Sequence, residues 1–174
     1  MRQTGFTLIE ILVTVGIMAI LMTIAANGFN RSNSKQNLKA AADALASEIQ
    51  ATALAALNSH QYQLQTPGGW GVHIGLTTAS YTVFADFDND KVYDLNEKVK
   101  TVNLGKNIVI SEVCFTLCDT LDNSLDFNIV DAVPSYATVA ITNATDDLEV
   151  TLIDNVTNAT TVVSVNPFGG VSVE

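Results

Sequence analysis

Residues 5–30 decide the fold of this chain. They begin with Gly5-Phe6-Thr7-Leu8-Ile9-Glu10 and continue with ILVTVGIMAILMTIAANGFN, an uncharged run from Ile11 to Asn30. Twenty uncharged residues in a helix span about 30 Å, the thickness of the hydrocarbon core of a bilayer. A secretory signal peptide has a shorter apolar region that ends in an Ala-x-Ala-like site, for which Ala25-Ala26-Asn27 is a weak candidate. The sequence therefore predicts a retained membrane helix.

The remainder of the 174-residue chain has the size and composition of one domain with an apolar core. Hydrophobic residues make up 48% of the chain and charged residues only 15%. Eight basic residues against 18 acidic ones give a net charge of −10, and residues 107–174 contain ten acids and no Lys or Arg. This balance argues against nucleic acid as a partner, because binding to the phosphate backbone depends on clustered Lys and Arg side chains.

A helical period continues after the apolar run, from Ser32 to Asn58. Apolar residues recur there at spacings of three and four, which indicates one buried face. They are Leu38, Ala42, Leu45, Ile49, Ala53 and Ala56. We expect one continuous helix of about 50 residues, although a separate core helix after a loop at residues 27–34 is the alternative.

Beyond Asn58, short alternating and β-branched segments replace the helical period. Strands after one long helix predict an α+β fold, with the helix packed against antiparallel β-sheet. The predicted strands are Tyr62–Leu64, Trp70–Ile74, Tyr81–Ala85, Lys98–Leu104, Ile108–Val113, Leu125–Ile129, Ala137–Thr142, Leu148–Ile153, Thr160–Val165 and Gly170–Val173.

Glu10 is the one charge within this apolar N-terminus. On position alone it is a carboxylate solvated at the headgroup level, or one that meets a positive partner outside the lipid. The run from Gly5 to Glu10 and the apolar residues after it resemble the N-terminal signal of type IV pilins and type II secretion pseudopilins. The resemblance implies cleavage between Gly5 and Phe6 by a prepilin peptidase and N-methylation of Phe6. It also implies that Glu10 neutralises the N-terminal amine of a neighbouring subunit.

The resemblance also implies a domain order: a leader at 1–5, a membrane and filament-core helix at 6–30, an amphipathic helix at 31–58, and a β-rich pilin-like body at 59–174. Arg2 precedes the apolar run, and Arg31, Lys35 and Lys39 follow it. A count of Lys and Arg would put the body inside the cell. The resemblance instead implies a single-pass protein of the inner membrane with its body outside the cytosol, which later enters a filament. We follow the resemblance.

Two further segments are similar to the GspH/FimT group of pseudopilins and minor pilins. They are Pro67-Gly68-Gly69-Trp70-Gly71-Val72 and Tyr81-Thr82-Val83-Phe84-Ala85-Asp86, followed by an acidic run to Glu97. The resemblance implies a minor structural subunit of a type IV pilus or type II secretion filament. Its implied partners are other pilin-like subunits, the prepilin peptidase, an inner-membrane assembly platform, and membrane lipid before assembly.

The acidic loop from Asp86 to Glu97 predicts a candidate calcium site. Its acids occupy positions 1, 3, 5, 9 and 12, the ligand spacing of an EF-hand-like loop. They are Asp86, Asp88, Asp90, Asp94 and Glu97. Lys91 stands at position 6, where the sharp turn calls for Gly, and the flanks read as strands. The alternative is a solvated hairpin turn in which Asp and Asn serve turn geometry.

The two cysteines, Cys114 and Cys118, predict a local disulfide if the body lies outside the cytosol. A turn is required between them, because five residues of straight strand would hold them too far apart. No catalytic motif stands out, so we expect no enzyme. The competing functions are a membrane-anchored adhesin or ligand-binding module, and a DNA-uptake pilin, which the acidic body disfavours. His60 and His73 are expected at the surface or half-buried, and Trp70 in the core.

Overall fold

A computed structural model describes residues 7–115, 127–130, 133–136, 147–166 and 169–174. Side chains are described throughout these ranges except at 24–31, 115, 127–130 and 133–136. The fold is α+β, as the sequence predicts, with one N-terminal helix packed on antiparallel sheets.

The helix α1 runs without a break over 50 residues, Leu8–Leu57. Of the two arrangements that the sequence left open, the continuous helix is therefore the one observed. Across the described part of the chain, no helical segment combines the length and the apolar character that a membrane crossing requires.

In the described residues, nine strands follow the helix and form two sheets. Their bounds are β1 Gly69–Ile74, β2 Ser80–Asp86, β3 Lys98–Asn103, β4 Ile108–Phe115, β5 Phe127–Val130, β6 Val133–Tyr136, β7 Leu148–Asp154, β8 Thr160–Val165 and β9 Val171–Val173. One sheet has the order β3-β2-β1-β5-β6 and the other has the order β4-β7-β8-β9. All neighbouring strands are antiparallel.

The second half of α1 supplies the helical side of the core. Leu45 and Ile49 are fully buried, and Ala42 between the same turns is also at 0% exposure. The helix contacts β1 and β5 of the first sheet and β7, β8 and β9 of the second. Alanine at the contact lets the helix backbone approach the sheets closely, and the predicted apolar face is confirmed over residues 38–49. Ala53 and Ala56 are only half-buried.

Strand β7 shows why the sheets fold as they do. Its side chains alternate between buried and half-buried positions from Leu148 to Asp154. A period of two places every second side chain on the core face of a sheet. Leu148, Val150 and Leu152 fill the core, and Asp154 is the buried acid at the end of the strand.

Two differences from the predicted strands have clear physical reasons. Tyr62–Leu64 was wrong as a strand: Gln63 and Leu64 have φ of 52° and 67°, and only an isolated bridge joins Tyr62 to Gln65. Strand β6 was not predicted because it contains Pro134, which cannot donate to a ladder. Its position at the edge of its sheet accommodates the proline. The predicted strand Ala137–Thr142 lies outside the described residues.

Candidate functional sites

The predicted processing site lies just before the described part of the chain. Gly5 and Phe6 are outside the described residues, so the cleavage site stays a prediction. Thr7 precedes the helix, and its carbonyl accepts hydrogen bonds from the backbone N–H of Glu10 at 3.1 Å and of Ile11 at 3.3 Å. Glu10 is exposed and lies in the first helical turn, where a carboxylate interacts favourably with the helix dipole.

The first turns of α1 leave an apolar surface uncovered. Every large hydrophobic residue from Leu8 to Met22 is between 52% and 82% exposed. They are Leu8, Ile9, Ile11, Leu12, Val13, Val15, Ile17, Met18, Ile20, Leu21 and Met22. Soluble monomers rarely expose a contiguous apolar surface of this kind, so this segment needs a lipid or protein environment.

The acidic loop connects β2 to β3, and two buried carboxylates hold its ends. Asp86 is at 0% exposure and accepts backbone N–H groups from Asn89 at 2.6 Å and from Lys91 at 3.0 Å. Glu97 is at 2% exposure and accepts those of Phe87 at 2.8 Å and Asp94 at 3.3 Å. These four bonds satisfy both carboxylates inside the fold and give the loop a defined shape.

Three of the five predicted metal ligands come together. Oxygen atoms of Asp86, Asp88 and Glu97 all lie within 4.8 Å of one another, a spacing that one cation could bridge. Asp90 and Asp94 are exposed and do not belong to this group. The Asp90 carboxylate instead accepts the backbone N–H of Val92 at 2.7 Å. The structure thus brings together positions 1, 3 and 12 of the predicted set.

Lys91 adopts the conformation that the sequence argument reserved for glycine. Its φ is 63°, in the left-handed region, and Asn89 has φ of 62°. Left-handed backbone is open to Asn and is costly for Lys, so the surrounding hydrogen bonds must hold it there. The sharp turn therefore forms without Gly, although strands flank the loop where an EF-hand has helices.

Burial governs the electrostatics of Asp86. Desolvation raises the pKa of its carboxyl above the ordinary value, and the backbone N–H groups of Lys91 and Asn89 act in the opposite direction. The nearby charges of Asp88 and Asp90 add to the increase. A cation at this position would offset the repulsion between these carboxylates, which is the electrostatic argument for a metal here.

The loop also folds back over the sheet. The ring of Tyr93 lies 5.5 Å from that of Phe84 and 4.7 Å from that of His73. Phe84 is fully buried beneath this packing. The loop is therefore anchored by an aromatic contact in addition to its two carboxylates.

Trp70 and the histidines occupy the environments that the sequence predicts. Trp70 is 6% exposed, and its indole N–H donates to the carbonyl of His60 at 3.2 Å. His60 is exposed and His73 is half-buried. The indole is thus part of the core, and its hydrogen bond connects the segment after α1 to the start of β1.

The cysteine prediction is only partly within the described residues. Cys114, near the end of β4, takes part in a disulfide and is 6% exposed. Cys118, the other cysteine of the chain, lies outside the described residues. The pairing of Cys114 with Cys118 therefore stays a prediction.

Asp154 was missed by the sequence argument. It is 4% exposed at the end of β7, and its carboxylate accepts the backbone N–H of Val156 at 2.7 Å and of Thr157 at 3.3 Å. The Val156 bond leads in lowering the pKa of Asp154, and a bond to Ser34 adds to it. The signal was present in the sequence, because Asp followed by Asn-Val-Thr-Asn is a turn composition. Asp154 ties the β7–β8 turn to the helix.

Residues 1–26 match the family model for the prokaryotic N-terminal methylation motif. The motif indicates a pilin-like precursor, and it supports the pilin-like resemblance read from Gly5 to Glu10. The motif, which covers residues 1–26 alone, implies a prepilin peptidase and other pilin subunits as general partners and a structural role. No curated protein and no solved structure shows significant similarity to the chain.

Proposed function

We propose that this chain is a subunit of an extracytoplasmic filament of the type IV pilus or type II secretion class. The uncovered apolar surface of α1 from Leu8 to Met22 is the observation that carries the proposal. Before assembly this surface is covered by membrane lipid. In the filament it is covered by the corresponding helices of neighbouring subunits, which re-bury it when the subunit leaves the bilayer.

Glu10 sets the register of that packing. An ionised carboxylate in an apolar helix bundle is destabilising unless a positive group meets it. The methylated N-terminal amine of Phe6 in the adjacent subunit is such a group, because it remains positively charged and lies at the end of a parallel helix. The exposed position of Glu10 in the first helical turn leaves its carboxylate available to a neighbour.

The finer assignment is a minor pilin or pseudopilin of the GspH/FimT type. The Gly-Trp-Gly strand β1, the following strand β2 that ends in Asp86, and the acidic loop to Glu97 support it. The two strands are neighbours in the first sheet, and the loop connects β2 to β3. The body then lies outside the cytosol on a single-pass helix in the inner membrane. An assembly platform in that membrane extracts the subunit into the filament.

Processing tests the proposal directly. Co-expression with a prepilin peptidase should give a mature protein that begins at Phe6 and carries one additional methyl group on its N-terminus. Intact mass and N-terminal sequencing measure both. Gly5→Ala should leave the precursor uncleaved, whereas Thr4→Ala, a change one residue before it, should be processed normally. A mature start near Asn27 would contradict the proposal, because it would indicate an ordinary signal peptide.

Incorporation is the second test. Glu10→Ala should leave the protein in the membrane and remove it from sheared filaments, because the apolar helix remains and only the partner of the amine is lost. Thr14→Ala, one turn further along the same exposed helix, is the matched control and should be incorporated normally. Equal incorporation of Glu10→Ala and Thr14→Ala would remove Glu10 from the assembly mechanism.

A further inference from the structure

Basic side chains cluster at one end of the body. Residues 31–42 contain three bases and no acid, and the first acid after them is Asp43. Lys35 and Lys39 are exposed there, on the turns of α1 that follow the apolar segment. The contact between Ser34 and Asp154 places the β7–β8 turn beside these turns. This end of the body therefore presents positive charge next to the helical segment proposed to form the filament core.

The acidic loop lies at the opposite end. The backbone N–H of Gly68 donates to the carbonyl of Asp86 at 2.7 Å. Residues 67–70 and the last turns of α1, at Ala53, Ala56 and Leu57, line one cavity of about 230 Å³. The loop, which carries five acids and one lysine, is thus level with the end of the helix. Lys35 and Leu57 are 22 positions apart, which corresponds to about 33 Å along the helix axis.

We propose that the acidic loop of one copy docks on the basic turns of α1, around Lys35 and Lys39, in a second copy of this chain. The inference rests on the proposed function, since it describes how filament subunits contact one another. Within one chain the two surfaces lie about 33 Å apart along the helix axis, so they do not touch. This separation is several times the Debye length of about 8 Å at physiological ionic strength, so their charges hardly interact within one chain. They complement one another in sign, and both are exposed.

Parallel packing of the apolar helices supplies the geometry. Copies whose helices run in the same direction place like ends side by side unless one copy is displaced along the axis. A copy displaced by about 30 Å, which is a different neighbour from the one whose Phe6 amine meets Glu10, brings its basic turns level with the acidic loop of the lower copy. Such a contact joins two different surfaces, so it is heterologous and can repeat along a filament without closing. It requires at least two adjacent copies, whatever the total abundance of the subunit.

Zero-length cross-linking tests the contact in assembled material. Carbodiimide treatment of filaments that contain the full chain should join Lys35 or Lys39 to an acid of the loop. Because the two ends of one chain are far apart, the product must link two copies, and filaments of mixed isotopic labels should give peptides of mixed mass. Cross-links from these lysines only to a different subunit would overturn the proposal.

Charge reversal provides the second arm. Lys39→Glu and Asp94→Lys should each lower the amount of subunit in sheared filaments by about fivefold, a size that a few exposed ion pairs can produce. The two changes in one chain should restore incorporation, because every contact then carries the reversed pair. Asp94 is suitable because its side chain is exposed and lies outside the group formed by Asp86, Asp88 and Glu97.

The outcomes separate this contact from the filament function itself. Loss of incorporation in Glu10→Ala, with normal incorporation of both reversals and no cross-link, would overturn the docking contact alone. Normal behaviour of every variant would overturn both. If Lys39→Glu reduces incorporation, Asp94→Lys has no effect and the double variant is not restored, then Lys39 binds acidic phospholipid headgroups and the docking contact is overturned.

Discussion

Asp86 and Glu97 lie together at the two ends of the acidic loop, and both carboxylates are buried. Each accepts two backbone N–H groups of the loop that separates them. The pair therefore defines the loop whether or not a cation is bound. A third carboxylate, that of Asp88, lies beside them. It is exposed, so it would be the ligand on the solvent side of a bound metal.

Calcium should stabilise the full chain in detergent if this loop is a metal site. The expected gain in the free energy of unfolding is about 2.7 kcal/mol at a hundredfold excess of calcium over its dissociation constant. Asp88→Asn should abolish the gain, because the amide removes one charged ligand and keeps the shape of the side chain. Asp94→Asn should retain it, since Asp94 lies outside the group of three.

Thermal unfolding with calcium, with magnesium and with matched ionic strength measures this effect. Magnesium should do much less, because it prefers a tight octahedron and keeps its waters. Equal small shifts for both cations, with no saturable heat in calorimetry, would decide for the turn that needs no metal. The filament proposal does not depend on the outcome.

The contact between the helix and the sheets gives a prediction about packing. Ala42 is fully buried where α1 meets the sheets, so Ala42→Leu has no space for its added atoms. Overpacking should lower the free energy of unfolding by about 1–3 kcal/mol. Ala51→Leu is the matched control, because Ala51 is exposed on the same helix, and it should stay within about 0.5 kcal/mol of wild type. Similar losses in both variants would mean that the helix does not pack as described.

Asp154 should stabilise the body at neutral pH. Asp154→Ala removes the acceptor for Val156, Thr157 and Ser34, so the variant should melt at a lower temperature than wild type. The pKa of Asp154 is lowered in the fold, so its contribution is present above the ordinary pKa near 3.8 and is lost as the pH falls through the folded value. The difference between the two proteins should therefore shrink below pH 4.

Asn155→Ala is the control for Asp154. The Asn155 side chain is exposed, and its backbone N–H, which donates to the carbonyl of Asn107, survives the substitution. A difference between wild type and Asp154→Ala that persists undiminished in strong acid would show that the carboxylate charge is not what stabilises the turn.

The features that the sequence predicted well are those with a strong period. The spacing of Leu38, Leu45 and Ile49 identified the buried face of α1, and the alternation of Leu148–Asp154 identified β7. The predicted strand at Gln63 and Leu64 was wrong because both residues have left-handed backbone. A hydrophobic pattern does not reveal that conformation. Strand β6 was not predicted because Pro134, which its edge position accommodates, resembles a strand break in the sequence.

The candidate site was predicted by composition but not by geometry. Five acids at suitable spacings predicted five ligands, yet only Asp86, Asp88 and Glu97 converge. The reason is that a hairpin between strands returns its two ends to the same place, whereas the tip residues Asp90 and Asp94 remain in solvent. The spacing of the acids does not encode which of them the strands bring together.

Tyr81 provides a prediction in alkali. Its ring is 2% exposed between the sheet and α1, and burial, with a further contribution from the charge of Glu48, raises the pKa of its hydroxyl to about 12. The tyrosinate absorbance of the full chain should therefore show a component that appears near pH 12. That component should be missing in Tyr81→Phe, while Tyr93→Phe, at a half-buried ring of the acidic loop, should leave it in place.

Because the folded pKa is raised, Tyr81 contributes stability that is fully present below pH 10 and is lost as the pH rises through about 12. The difference in unfolding free energy between wild type and Tyr81→Phe should accordingly fall across that interval. Glu48→Gln should move the late component to lower pH, since it removes the negative charge that opposes ionisation and leaves Tyr81 buried. Absence of the component near pH 12 in the wild-type protein would mean that Tyr81 is solvated, and would contradict the packing of β2 against the helix.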